Sequence, residues 1–310
     1  MKRRDFVKTA IATGAVACAG AALAEPKKSK LPDLVAIHGG TAADMFKKGI
    51  KEMGGMKRFV KKGQTVVVKP NIGWDKSPDF GSNTDPDLVA EIVKECLACG
   101  AKEVFCFDHT CQNPKDCYEH SGIAAAVEKA GGKMIAGNTD SMYVNRDIPN
   151  GVSLKTARVH KILLDADVII NAPVLKHHSG AKITCAMKNY MGCIWDRQFW
   201  HRNDLPQCIA DFASYQKTTL NVVDAYHVML EHGPQGKDPK FAPVAKYQVI
   251  STDIVAADAA AVQIFATVAR QHGMGKPYEI SEIPYIAMAE KLGVGTADLG
   301  KLNVKRISVA

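Results

Sequence analysis

Residues 65–69, Thr-Val-Val-Val-Lys, are a continuous β-branched run with no polar face, closed by Pro70-Asn71. A strand of that composition is buried on both sides, which calls for a sheet covered by helices above and below. The rest of the chain meets that demand. Apolar runs predicted as strands at 34–38, 103–107, 133–136, 168–171, 219–224, 247–251 and 302–309 alternate with helically spaced segments. Those segments fall at 42–60, 86–99, 121–130, 205–215, 254–269 and 281–291. Asp85-Pro86 and Asp253 read as helix N-caps, and Gly100 as a helix stop. The expected class is α/β: a mostly parallel sheet with helices on both faces, as a single large domain or two lobes. The segment 152–161 is expected to be an extended, partly exposed excursion.

The first 24 residues read as a targeting segment. Lys2, Arg3, Arg4 and Lys8 precede a modest apolar run to Leu23, and Ala22-Leu23-Ala24 offers a cleavage site. Arg3-Arg4 followed by Asp5-Phe6-Val7-Lys8 reads as a twin-arginine signal, so the export machinery is an expected partner and the periplasm the expected location. An ordinary secretory signal and a lipid anchor at Cys18 are the alternatives. The remaining domain, 25–310, has no segment of membrane-spanning length, so the mature form is expected not to be membrane-embedded. Removing the signal takes away four basic side chains and one acidic one, lowering the formal charge from +8 to +5. That mild surplus fits a small anionic ligand at one site, not a nucleic-acid surface.

Four predicted strand ends carry polar clusters: Lys69-Pro70-Asn71, Asp108-His109-Thr110, Asn171 to His178, and Asp224 to His227. In a parallel sheet these ends share one edge, where ligands bind. The densest stretch is 171–202, expected as a loop-and-turn path. Lys69, Asn71, Lys176, Asn189 and Arg197 are its candidate anion-binding groups. His177, His178, Lys188 and His201 are candidate catalytic groups, and His177, His178, His201 and Asp224 candidate metal ligands. Adjacent histidines on a strand do not both face one ion, so one of His177 and His178 is expected to be structural. Asp224 and Asp253 would orient the ligands, and the Gly233-Pro234-Gln235-Gly236 turn offers a backbone anion cradle. Cys96 and Cys99 read as small buried thiols, while Cys111 and Cys117 share a polar loop and could bridge each other. No Gly-x-Ser-x-Gly elbow, Gly-x-Gly-x-x-Gly fingerprint, P-loop or ferredoxin cysteine run is present.

Taken in order, these landmarks resemble the family of unknown function called DUF362. They are Val66-Val67-Val68-Lys69-Pro70-Asn71, Asn171-x-Pro173-x-Leu175-Lys176-x-His178, Lys188-Asn189-x-x-Gly192, Arg197 with His201, Asp224, Gly233-Pro234-x-Gly236, and Ser251-x-Asp253 with Asp258. The resemblance implies the fold and the site's location more than a reaction. Some members of that family carry an iron–sulfur segment, which this chain lacks. A weaker likeness runs to nickel-pincer lactate racemases, in which a lysine following a His-x-Gly-like stretch tethers the cofactor. Here Cys185-Ala186-Met187 stands where those enzymes have glycines before that lysine, Lys188 in this chain. The expectation is therefore a transition metal or metal-containing cofactor of open identity, a small anionic substrate, and redox or isomerase-type chemistry. A non-catalytic periplasmic binding or electron-transfer accessory protein is the alternative.

Overall fold

A computed structural model describes residues 31–310; the expected signal segment, 1–24, lies outside the described residues. The strands are β1 (Leu34–His38), β2 (Thr65–Pro70), β3 (Glu103–Cys106), β4 (Lys133–Met134), β5 (Tyr143–Asp147) and β6 (Thr156–His160). They continue as β7 (Val168–Ala172), β8 (Val174–His178), β9 (Lys182–Thr184), β10 (Leu220–Met229), β11 (Val244–Ser251) and β12 (Val304–Ser308). The main sheet runs β12-β1-β11-β10-β7-β2-β3-β4, with β8 on β10 and β9 on β8. The pairs of β7, β2, β3 and β4 are parallel, as is β10 with β7 and β8. Antiparallel pairing enters where β11 lies between β1 and β10 and where β8 turns into β9. The excursion at 152–161 contributes β6, which pairs with β5 as a separate two-stranded ribbon.

Residue parity on the central strands feeds two cores. Val67, Ile169, Val223 and Val249 point into one, together with α8 (Leu205–Tyr215), α9 (Ile254–His272) and α10 (Pro284–Lys291). Val66, Val68, Val168, Ile170, Val222 and Ile250 point into the other, beneath α1 (Ala42–Glu52), α2 (Pro86–Ala98) and α4 (Ile123–Lys129). Burying each of these branched side chains contributes about 1.5–3 kcal/mol, so the TVVVK run is held by both layers at once. Asp85 and Asp253 cap α2 and α9 by accepting the Leu88 and Ala256 amides at 3.1 and 3.0 Å.

Several boundaries depart from the expectation for identifiable reasons. The helix from Ala42 stops at Glu52, because Gly54 and Gly55 both take positive φ, and a short 3-10 turn follows. A helix at α3 (Pro114–His120), capped by Asn113, was not expected; it is short and has one buried residue. The largest departure is 171–202. It is a strand hairpin, β8–β9, followed by α6 (Ala186–Asn189), a 3-10 turn and α7 (Arg197–Arg202). α5 (Lys161–Asp165) leads into β7. Among the described residues no helix is long and apolar enough to cross a membrane.

Candidate functional site

The carboxyl ends of β2, β3 and β7 share one edge, with Lys69 opposite Asn171 in the parallel register. Lys69 Nζ lies 2.9 Å from Asp108 Oδ1, 2.6 Å from the Pro70 carbonyl and 3.1 Å from Asn189 Oδ1. Both members of this ion pair are almost fully buried. Asp108 Oδ2 accepts the Ile72 amide at 2.6 Å, while Oδ1 has no directed hydrogen bond and is held by the lysine charge. Lys69 was expected to bind anions, but with three acceptors in place it is a brace instead. Asn189 completes the brace by donating to the Lys69 carbonyl at 3.0 Å and to Asn171 Oδ1 at 2.8 Å. Gly192 packs directly on this pair. A Cβ there would stand 1.7 Å from Asp108 Oδ1 and 2.8 Å from Lys69 Nζ.

Above this floor lies a cavity of about 420 Å³, within the range of small-ligand sites. Asn71, Lys176, His178, Lys188, Asn189, Arg197 and His201 all line it, so the expected candidates are largely gathered. Strand alternation explains the first choice between neighbours. Lys176 and His178 lie on the cavity face of β8, while His177 lies on the other and is absent from the lining. His177 Nδ1 instead accepts the Gly233 amide at 3.1 Å. That use of the amide, and the Gly236 amide's bond to the His232 carbonyl, leave the expected backbone anion cradle without these donors.

The cations differ in their partners. Lys176 Nζ donates to Asn71 Oδ1 at 3.3 Å and to the Ser82 carbonyl. Lys188 Nζ meets Met191 Sδ at 3.3 Å. No carboxylate of the described residues forms an ion pair with either ammonium. Burial pulls the Lys176 pKa down to about 7 and that of Lys188 down to about 8. Arg197 turns its guanidinium to the His109 carbonyl at 2.7 Å, the Thr110 carbonyl and Cys111 Sγ at 3.3 Å. It therefore clamps the loop after β3 with both Nη1 and Nη2 while still lining the cavity.

The imidazoles have defined tautomers. His178 Nδ1 accepts the amides of Gly180 and Ala181 at 2.9 and 3.1 Å, which leaves its proton on Nε2. Burial, then the Lys188 and Lys176 charges, press its pKa down to about 2, so it is a neutral N–H donor. His201 stacks on it with ring centroids 6.0 Å apart, and burial lowers its pKa too. His109 is the reverse case. Its Nδ1 faces the Ile194 carbonyl at 2.9 Å, which leaves a lone pair on Nε2, and burial lowers its pKa.

Of the four expected metal ligands only His178 and His201 are brought together in the cavity. Asp224 accepts the Asp85 and Tyr226 amides at 2.7 and 2.9 Å, outside the cavity, and burial followed by the Asp85 charge pushes its pKa up. Asp253 serves α9 and the Thr296 amide. His178 presents a proton where a ligand must present a lone pair, and His177 points away. Among the described residues no group of three or more His, Cys, Asp or Glu side chains is placed to hold an ion. These residues do not fit a directly coordinated metal.

Four residues that line the cavity, Asp108, His109, Cys111 and Thr184, are not among the binding, catalytic or metal candidates named from the sequence. The strand-end cluster Asp108-His109-Thr110 carried the signal for the first two. The polar loop that leaves a Cys111–Cys117 bridge open in the sequence holds none: both are free, and Cys117 is buried with its thiol toward the Gly73 carbonyl. Another anchor is Asp258 of α9, which accepts the Ala186 and Met187 amides at 2.6 and 3.2 Å and so fixes the first turn of α6 beneath Lys188.

The chain is 24% identical over 251 residues to the thylakoid-associated protein sll1697 of Synechocystis sp., covering 76% of each. Among solved structures, a Thermotoga maritima protein aligns at 12% identity and TM-score 0.48 over 73% of this chain. The lactate racemase apoprotein of Thermoanaerobacterium thermosaccharolyticum aligns at 12% and 0.43 over 69%. The chain spans 59% and 53% of the lengths of those two structures. Residues 66–263 match the family model described as a domain of unknown function, DUF362, and the chain belongs to that family.

Proposed function

We propose that the cavity binds a small organic anion of the carboxylate class and moves a proton on it, as an isomerase-type enzyme. The observation that carries this reading is the pair of buried ammonium groups, Lys176 and Lys188, which face one cavity with only neutral partners. A buried charge is costly until an opposite charge meets it, and a carboxylate seated between them supplies that charge. His178 Nε2–H adds a neutral donor. Lys188, with its pKa near 8, and His109, with a free Nε2, are placed to give and take the proton. No step is assigned to a metal, because the side chains here offer charge and protons and not a set of lone pairs.

The expected result is that oxalate raises the melting temperature at pH 6 and does so far less at pH 9.5. Above their pKa values of about 7 and 8 the lysines lose the charge that holds the anion. Affinity should fall about tenfold per pH unit for each lysine that must be protonated. Thermal denaturation with and without oxalate across that range checks it, and a shift independent of pH would defeat the reading. Deuterium exchange at the α-carbon of 2-hydroxy acids, followed by proton NMR in D2O, separates catalysis from binding alone. Export through the twin-arginine route belongs to the same proposal, supported by Arg3-Arg4 ahead of the apolar run. Changing both to lysine should stop delivery to the periplasm, as fractionation would report.

A further inference from the structure

We propose that Cys111 is a nucleophile of this cavity and that the carboxylate it meets carries an aldehyde or ketone beside the acid group, as in a 2-oxo acid. This rests on the anion-binding reading above and adds a covalent step to it. Cys111 is the one exposed cysteine among the described residues. The thiols of Cys117 and Cys208 are pushed up to about 11 and that of Cys193 to about 12 by burial, so they are poor nucleophiles.

Cys111 lies in a cationic surround. Arg197 Nη1 is 3.3 Å from its sulfur, and Lys176 and Lys188 line the same cavity. Lys188 is buried at 7% exposure and has only the Met191 thioether as partner. A second feature points independently to a ligand. Thr184, 3% exposed, lines the cavity, and its Oγ1 is buried without a hydrogen-bond partner. A hydroxyl so placed has a donor and two lone pairs to offer to an oxygen-rich molecule.

The step balances without an oxidant or reductant. With Lys188 in its amine form and the Lys176 ammonium holding the carboxylate, the Cys111 thiol gives its proton to Lys188, and the sulfur forms a bond to the carbonyl carbon. The π electrons move to the carbonyl oxygen, which takes the proton back from the Lys188 ammonium. The product is a thiohemiacetal, with the substrate carboxylate held by the remaining positive charge.

The test uses the full chain with [2-13C]glyoxylate and 13C NMR. A new sp3 carbon resonance, distinct from that of the free hydrate, is expected with the natural protein and should be lost in Cys111→Ser and in Cys111→Ala. Competition by oxalate should remove it. A parallel measurement compares iodoacetate with iodoacetamide, mapping the alkylated cysteine by peptide mass. Iodoacetate should label Cys111 faster than the neutral reagent, and Lys188→Met should reverse that order. If oxalate stabilises the natural protein but the glyoxylate resonance is missing or survives both Cys111 substitutions, the nucleophile is overturned and the anion site stands. If oxalate gives no stabilisation and no resonance forms, both readings fall.

Discussion

Asp108→Ala is expected to cost about 3–5 kcal/mol of folding stability, the usual penalty for stranding one member of a buried ion pair. The substitution leaves the Lys69 ammonium, 1% exposed, with only the Pro70 carbonyl and Asn189 Oδ1. It also frees the Ile72 amide that Asp108 holds at 2.6 Å. Replacing both partners, Lys69→Met with Asp108→Leu, should be milder, since no uncompensated charge remains. Urea denaturation of the two singles and the double closes the cycle. A loss under about 1 kcal/mol for Asp108→Ala, well below the range for buried pairs, would mean that the pair is solvated and the brace is not what holds the site's floor. Gly192→Ala should act on the same pair from outside, because its methyl would occupy the place of the Asp108 carboxylate oxygen.

Lys188→Met should do the opposite and raise the stability of the ligand-free protein. Burial sets the folded pKa at about 8, below the ordinary 10.5. Between those values the unfolded chain binds more protons than the folded one, so the natural protein gains stability as pH rises from about 8 to 10.5. Below pH 8 the full penalty of the buried ammonium is present, about 3 kcal/mol for a shift of this size. Methionine removes it. The variant should therefore be the more stable protein at pH 6–7, with the difference shrinking to nothing near pH 10.5. It should also lose its response to oxalate. Chemical denaturation at pH 6, 8 and 10 reads the first expectation, and thermal shift with oxalate the second. A destabilised variant at pH 6 would show that the charge is compensated, and the anion site would lose its main support.

The sheet was legible because its strands are made of residues that bury on both faces. TVVVK, Val168–Ile170 and the Asp253-capped helix each carry their own local instruction, and each lies where expected. The site was half legible for the same reason. The strand-end rule finds Lys69, Asp108 and Asn171 as neighbours without any knowledge of partners. It does not say which cation is neutralised. Lys69 and Lys176 look alike in sequence, yet one has a buried carboxylate at 2.9 Å and the other has an amide oxygen and a carbonyl. That difference comes from contacts more than thirty residues away. The same holds for the histidines: whether His178 offers a lone pair or a proton is decided by the Gly180 and Ala181 amides, which only the β8–β9 turn presents to it. The 171–202 segment looked like a loop because its basic residues masked a strand, Val174-Leu175-Lys176-His177-His178, in which Lys176 and His178 are buried against the cavity and not in solvent.

The alternation along β8 also limits how this protein can change over evolutionary time. Lys176 and His178 reach the cavity, and His177 braces the opposite side, only while the count of residues from Val174 stays fixed by pairing to β10 and β9. Adding or deleting one residue there would exchange the two faces, sending His177 to the ligand and both cavity groups to the scaffold. Substitution can retune this site gradually, but a change of length in its central strand can only invert it. New specificities are thus more accessible at Trp74 and Cys111 in the cavity's loops and at Gln198 of α7 than through the strand that carries its charge.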